Sequence, residues 1–265
     1  MLYNNGQNLI KVENHFFQMV ALSVIGDRTE QQDSFGYILK ESEGIVVICD
    51  GMGGHDGGRI ASDIAVKTFL NSYATSPLKT EYINMLIETS KKADKEISAL
   101  KKVNGDILNA GSTLVSIIID YKNLIWCSVG DSRAYLIRNG EMVQLTQDHN
   151  YHTVLVEKKN AGFLNESKFE IEDVNGEALI SFLGIGNLEL IDYSQSPLEL
   201  HKDDKIIIMS DGLYKLLTDE EIARIIENFS NISEAIQILE IKAEKKAKIN
   251  CELRDNMTVA LIKIN

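Results

Sequence analysis

The chain has 265 residues, 44% hydrophobic and 25% charged, and its 27 basic and 39 acidic side chains leave a net charge of −12. That composition belongs to a globular protein long enough to bury a core without disulfide or metal staples. The acidic field excludes non-specific attachment to nucleic acid or to an anionic membrane surface, so an anionic substrate would need some local feature that reverses it.

In chain order, Phe17–Val24, Phe35–Leu39 and Ile45–Cys49 are β-prone apolar runs bounded by Gly, Asp or Asn, and they read as strands. Val66, Phe69, Leu70 and Tyr73 then fall at i, i+3, i+4, i+7, and Ile83, Leu86, Ile87, Ser90, Ile97 and Leu100 nearly repeat the pattern, which predicts a helix pair. Strands resume at Thr113–Ile119, Leu124–Val129 and Ala134–Ile137, with a tight turn at Arg138-Asn139-Gly140. The polar stretch from about Asn150 to Gly176 reads as an irregular, mobile segment beside a site. After a strand at Ile206–Met209, Thr218-x-x-Glu221 forms a capping box ahead of Ile222, Ile225, Ile226 and Phe229. Asn231-x-x-Glu234 opens a second helix with Ile232, Ala235, Ile236 and Leu239, and Met257–Ile264 is the last strand.

Two helix pairs set among strands predict antiparallel sheets covered by helices, an α+β fold, and exclude the regular alternation of a doubly wound one. Pro77 and Pro197 are the two prolines, and no linker composition divides the chain, so a single domain over 1–265 is expected. The longest uncharged run, Ile107 to Ile119, has 13 residues, short of the roughly 20 a membrane span needs. Met1-Leu2-Tyr3-Asn4-Asn5 lacks the pattern of a signal peptide. Cys49, Cys127 and Cys251 are odd in number, without C-x-x-C spacing, and are expected as buried reduced thiols. A soluble, cytoplasmic protein follows from these features.

The chemistry concentrates in aspartates at strand ends. Ile45–Cys49 runs into Asp50-Gly51, Ile206–Met209 and Ser210 run into Asp211-Gly212, Cys127-Ser128-Val129-Gly130 ends at Asp131, and Asp255-Asn256 precedes the last strand. A lone Asp-Gly is a turn former. Four aspartates abutting apolar strands point to a shared cation, because a carboxylate is rarely buried unpaired. All are hard oxygen donors, which suits Mg²⁺ or Mn²⁺ and not Zn²⁺. Gly51 lets the backbone turn so that its carbonyl can face an ion. Two such ions can activate a water for in-line attack on phosphorus and also reverse the local field. Arg28, five residues before Asp33, offers a planar fork for phosphate oxygens, or else pairs at the surface with Asp27 or Glu30. The glycines from Gly51 to Gly58 are not followed by Gly-Lys-Ser/Thr, which argues against a nucleotide loop.

The succession Gly26-x-Arg28-x-x-Gln31-Gln32-Asp33, Asp50-Gly51-Met52-Gly53-Gly54-His55, Gly111-Ser112-Thr113 and Val129-Gly130-Asp131-Ser132-Arg133 resembles the metal-dependent serine/threonine protein phosphatases of type 2C, the PPM family, in its bacterial form. Leu145-Thr146-Gln147-Asp148-His149, Ser210-Asp211-Gly212-Leu213 and Asp255-Asn256-Met257-Thr258 continue it, so the likeness extends from Gly26 to Ile264. The resemblance implies a four-layer αββα sandwich, two antiparallel β-sheets flanked by pairs of antiparallel helices, with a flap at roughly 150–176. It implies that Asp50 bridges two Mn²⁺ or Mg²⁺ ions, that the Gly51 carbonyl completes one site and that Asp211 and Asp255 hold the other. Asp33 would act through water, Arg28 would grip the substrate phosphate, and Asp131 would belong to a third, weaker metal site. Its substrates would be phosphoserine and phosphothreonine on proteins, hydrolysed without a phosphoenzyme by an enzyme that opposes a serine/threonine kinase; a monomer is the simplest expectation. The alternative is a catalytically silent pseudophosphatase that serves as a phosphoprotein-binding scaffold.

Two positions depart from the broader family. Gln32 stands where many members carry a glutamate ligand, and an amide supplies no charge. Met52 stands where eukaryotic members have a histidine, and a thioether donates no proton. Protonation of the leaving group then falls to metal-bound water or to a neighbour such as His55. His149 is expected to order a turn beside Asp148, and Asp56 and Asp148 to be ordinary loop acids.

Overall fold

Strands whose side chains are apolar on both faces can only lie between two other layers. In the computed structural model, whose described residues are 2–4, 8–54, 57–76 and 81–265, that constraint produces two stacked antiparallel sheets. The first sheet runs in the order β1 (Leu2–Asn4), β4 (Asp33–Leu39), β5 (Glu43–Gly53), β7 (Leu114–Asp120), β8 (Asn123–Val129) and β11 (Asp192–Tyr193). The short β6 (Ala110–Ser112) pairs with the end of β5, and β12 (Leu198–Glu199) pairs with β8. The second sheet runs β10 (Glu141–Gln144), β9 (Arg133–Arg138), β13 (Lys205–Met209), β14 (Met257–Ile264), β3 (Phe17–Val24) and β2 (Asn8–Glu13).

Period-2 alternation divides the core into three layers. In β5, Val46 and Ile48 face the other sheet, where with Ile117 of the neighbouring β7 they meet Met19, Ile208 and Ile262. Ile45, Val47 and Cys49 face the opposite way, onto α1 (Gly57–Thr75) and α2 (Tyr82–Ser98) through Phe69, Leu70 and Leu86. On the far side, Val259 and Leu261 of β14 face α6 (Asp219–Asn228) and α7 (Ile232–Asn250) through Ile222, Ile226, Ile236 and Leu239. The αββα order expected from the resemblance is therefore the observed one.

Local signals account for several boundaries. Arg138 pairs with Glu141 across a two-residue loop in which Asn139 (φ 55°) and Gly140 (φ 82°) are both left-handed, the geometry that matches strand twist. Thr218 and Glu221 form a reciprocal capping box, and the Asn231 side chain accepts from Ser233 N. Three expectations are corrected. The stretch from Asn150 is helical and not irregular: it forms α3 (Tyr151–Asn160), capped by Asn150, and α4 (Glu166–Glu172), capped by Asn165, followed by a 3-10 turn at Asp173–Asn175. Leu155 is the buried residue of α3 and α4 has none, so little apolar periodicity marked them. Gly51 makes no turn, because β5 continues straight to Gly53 and pairs there with β6. Cys49 and Cys127 are buried, whereas Cys251 is exposed in a left-handed C-cap. No helix among the described residues is long and apolar enough to cross a membrane.

Ile208→Ala empties part of the inter-sheet layer, where Ile208 is fully buried, and is expected to cost about 2–5 kcal/mol of stability. Thr218→Ala removes a helix cap and is expected to cost about 1 kcal/mol. Both are read as a lower urea midpoint at constant slope.

Candidate metal centre

Strand pairing brings the acids together from five distant stretches. β4 and β5 pair with Asp33 directly opposite Asp50. In the other sheet Met209 pairs with both Arg133 and Val259, so the end of β13 and the starts of β9 and β14 share one rim. Asp211, Asp131 and Asp255 lie two residues beyond Met209, two before Arg133 and two before Met257. There α5 (Asp211–Tyr214) begins, a short helix the sequence had not marked. The two rims face each other across a cleft of about 800 Å³ lined by Asp50, Gly51, Asp131, Asp211 and Asp255, with Arg28, Gln32, Met52, Thr113, Glu177, Lys215 and Asn256. Asp33 is not a wall residue. It is 2% exposed and lies beside Asp50 on the neighbouring strand.

The backbone around Asp50 is pinned from below. Thr113 Oγ1 accepts from Asp50 N at 2.9 Å, Thr113 N donates to Asp50 O at 2.8 Å, and Ser112 Oγ donates to the same carbonyl at 3.1 Å. A side chain at Gly51 would collide with the Gly58 carbonyl at the start of α1 and with the Gln32 carbonyl, so only glycine fits here. Asn256 Oδ1 accepts from Gln32 N at 2.8 Å, while its Nδ2 donates to Ile25 O at 2.8 Å and Glu30 O at 3.0 Å, fastening the 25–32 loop to the start of β14.

The electrostatics are unfavourable for the carboxylates alone. Burial pushes the Asp33 carboxyl up to about 7, against hydrogen bonds from Ser210 and Thr258, and the charges of Asp211 and Asp255 add to the rise. Asp50 is raised well above the ordinary range, by burial and then by Asp33, Asp211 and Asp131. Asp131 is pushed up to about 6 by burial and by Asp211, with partial relief from Lys215. Asp33 Oδ1 and Asp211 Oδ1 are buried without a hydrogen-bond partner. Orphaned carboxylate oxygens, mutual repulsion and an all-oxygen donor set fit a hard divalent cation. Among the described residues no three acidic, His or Cys side chains already close into a ligand cluster. Instead Arg28 Nη2 holds Asp255 Oδ2 at 2.5 Å and Lys215 Nζ holds Asp211 Oδ2 at 2.9 Å.

Several expectations change in detail. Arg28 pairs with Asp255, while Asp27 takes Arg254 and Glu30 takes Arg59. Asp148 is no ordinary loop acid, for it grips Arg133 in a fork at 2.7–3.1 Å, and that guanidinium stacks 3.7 Å from the Tyr214 ring. His149 does order a turn: its Nδ1 accepts from Gly130 N at 3.2 Å, just ahead of Asp131, and burial pushes its pKa down to about 4. Gln32 and Met52 both line the cleft, and His55 and Asp56 lie outside the described residues. Sequence reasoning gave no role to Thr113, Asn256, Ser210 or Lys215. Lys215, four residues after Asp211, carried a helical-spacing signal that could have found it.

Comparison with known proteins gives the family and the fold. Residues 22–255 match the protein family described as Protein phosphatase 2C. The serine/threonine phosphatase stp of Listeria innocua is 30% identical over 247 residues, 90% of this chain and 92% of that protein. The serine/threonine phosphatase of S. agalactiae has a similar structure, with a TM-score of 0.81, 26% identity and coverage of 94% of this chain and 100% of that one. The catalytic domain of the phosphatase PstP, solved in complex with 2 manganese ions, shares the fold with a TM-score of 0.75 at 24% identity, over 94% of this chain and 98% of that one.

The raised carboxyls fix the sign of a pH effect. Asp33 and Asp131 hold protons in the folded chain at pH values where the unfolded chain has released them. Their contribution to stability is therefore full below about pH 4 and is lost as pH rises through about 6 to 7. His149 acts oppositely, adding stability as pH rises from about 4 to 6.5. Mn²⁺ relieves only the first effect. The rise in melting temperature on adding Mn²⁺ should accordingly grow from pH 5 to pH 8 (scanning calorimetry, chelated against loaded), and Asp33→Asn should flatten that growth.

Proposed function

The chain belongs to the protein phosphatase 2C family, and from this we propose a metal-dependent serine/threonine protein phosphatase in which Asp50, the Gly51 carbonyl, Asp211 and Asp255 hold two Mn²⁺ or Mg²⁺ ions. The observation that carries the reading is the convergence of acids from both sheets on one cleft, with buried, unpartnered oxygens on Asp33 and Asp211. When bound, the ions would neutralise these carboxylates and supply a water acidic enough to attack phosphorus.

The chain's own residues do the rest. Arg28, with 59% of its side chain exposed, sits at the cleft mouth and can turn its fork from Asp255 to the phosphate oxygens of a phosphoserine or phosphothreonine. Asp33, beside Asp50 on the neighbouring strand, accepts from Ser210 Oγ at 2.8 Å and keeps a second oxygen for water. Thr113 and Ser112 hold the Asp50 backbone against displacement. Among the described residues at the cleft no protein nucleophile is offered: burial raises the Cys49 thiol well above its ordinary pKa, and the Ser112, Thr113 and Ser210 hydroxyls are engaged in hydrogen bonds. Direct hydrolysis follows, in which a water oxygen bonds to phosphorus and the serine or threonine oxygen leaves with a proton. The α3–α4 segment beside the cleft is the flap of a single domain spanning 1–265. A cytoplasmic monomer that opposes a serine/threonine kinase completes the reading.

A phosphothreonine peptide assayed with Mn²⁺ tests it. Excess EDTA and Asp50→Asn should each lower turnover by roughly a hundredfold or more. Turnover that survives EDTA overturns the mechanism, and peptide binding without any turnover in Mn²⁺ favours the scaffold alternative. Arg28→Lys keeps the charge and loses the fork, so KM should rise by about tenfold while kcat changes less.

A further inference from the structure

Lys215 closes α5 one turn after Asp211, and its ammonium lies inside the cleft. Nζ stands 2.9 Å from Asp211 Oδ2 and 2.9 Å from Glu177 Oε2, just past the α3–α4 segment. Asp131 lines the same cleft. The other cations near this end are committed elsewhere: Arg133 is locked in its fork to Asp148 and stacked on Tyr214, and Arg28 is held across the cleft by Asp255. Among the described residues, Lys215 is thus the cation that faces the Asp131–Asp211 end. Its positive charge relieves Asp131, whereas Asp211 opposes it. Burial works against the ammonium, yet Asp211 and Glu177 outweigh that cost and hold its pKa above the ordinary lysine value, so it remains charged throughout the neutral range.

We propose that the Lys215 ammonium is a built-in counter-cation that takes the place of a third metal ion at Asp131, leaving a centre for two ions. The proposal rests on the two-ion reading above. A divalent ion entering between Asp131 and Asp211 would have to displace the ammonium from Asp211 or else sit beside a like charge. On this reading the third site that the resemblance implied at Asp131 does not fit this chain, since a side-chain cation already lies in the cleft that Asp131 and Asp211 line together. The same ammonium ties Glu177, and with it the end of the α3–α4 segment, to the metal ligand Asp211. Lys215 is accordingly a positioning residue as well as a charge.

Calorimetric titration of the metal-stripped protein with Mn²⁺ alone, near neutral pH, tests the assignment by stoichiometry and not by activity. The native chain should take up two ions. Lys215→Gln should gain a further, weaker site, Lys215→Arg should not, and Asp131→Asn should remove the gained site from Lys215→Gln while leaving the native count unchanged. A third site in the native chain, or a folded Lys215→Gln protein with the native isotherm, overturns the proposal. If Lys215→Gln does not fold, Asp131→Asn decides: loss of an ion from the native count overturns it, and an unchanged count supports it. Fewer than two ions in the native chain overturns the two-ion reading itself, and the counter-cation role with it.

Discussion

Mutual repulsion among carboxylates gathered at one end of two sheets is the constraint the rest of the molecule answers. Asp33, Asp50, Asp131, Asp211 and Asp255 come from segments far apart in the chain, and burial together with neighbouring negative charge drives Asp33, Asp50 and Asp131 toward the protonated form. Such an arrangement survives folding only because the strands that carry it are fixed by something larger. That larger thing is the inter-sheet layer, where Met19, Ile48, Ile117, Ile208 and Ile262 are wholly or almost wholly excluded from water. The apolar layer sets strand position, strand position sets the acids, and the acids then demand cations. Arg28 and Lys215 answer part of that demand, each by pairing with an acid of the second sheet.

The polar scaffold around the cleft works through backbone more than through the acids' own side chains. Thr113 and Ser112 hold the peptide of Asp50, Asn256 holds the loop that carries Arg28, and His149 holds Gly130 ahead of Asp131. Each leaves carboxylate oxygens unspent for a ligand. This is the usual logic of outer groups at a metal centre, which orient ligands without competing for the ion. It also explains why the motif segments contain so many small hydroxyl and amide residues among their acids.

The sandwich was legible because its strands obey a period of two and its outer helices a period of 3.6. Phe17–Val24 and Met257–Ile264 were bounded correctly to the residue. The acids were legible as abrupt charges at the ends of apolar runs. What stayed hidden lacked either signal. The helices α3 and α4 bury almost nothing, so their capping asparagines were the only marks they left. Gly51 suggested a turn, yet its smallness serves the close passage of Gly58 against a straight strand. Asp148 looked ordinary because its partner Arg133 lies at the other end of the β9–β10 hairpin and meets it only once the hairpin has closed.

Burying both faces of β5, β7, β13 and β14 has a cost outside the native state. Released from their neighbours, segments such as Ile45–Cys49 and Ile206–Met209 are short, uncharged and β-branched, the composition that seeds intermolecular stacking into fibrils. The native sheets keep them inside and finish in guarded margins: β2 carries Lys11 and Glu13, β10 has four residues and opens with Glu141, and β11 and β12 have two residues each, with Asp192 and Glu199. Those polar margins protect against aggregation. A substitution that loosens β2 or β10 would bare the strand behind it, and its damage would appear as insolubility before it appeared at the cleft.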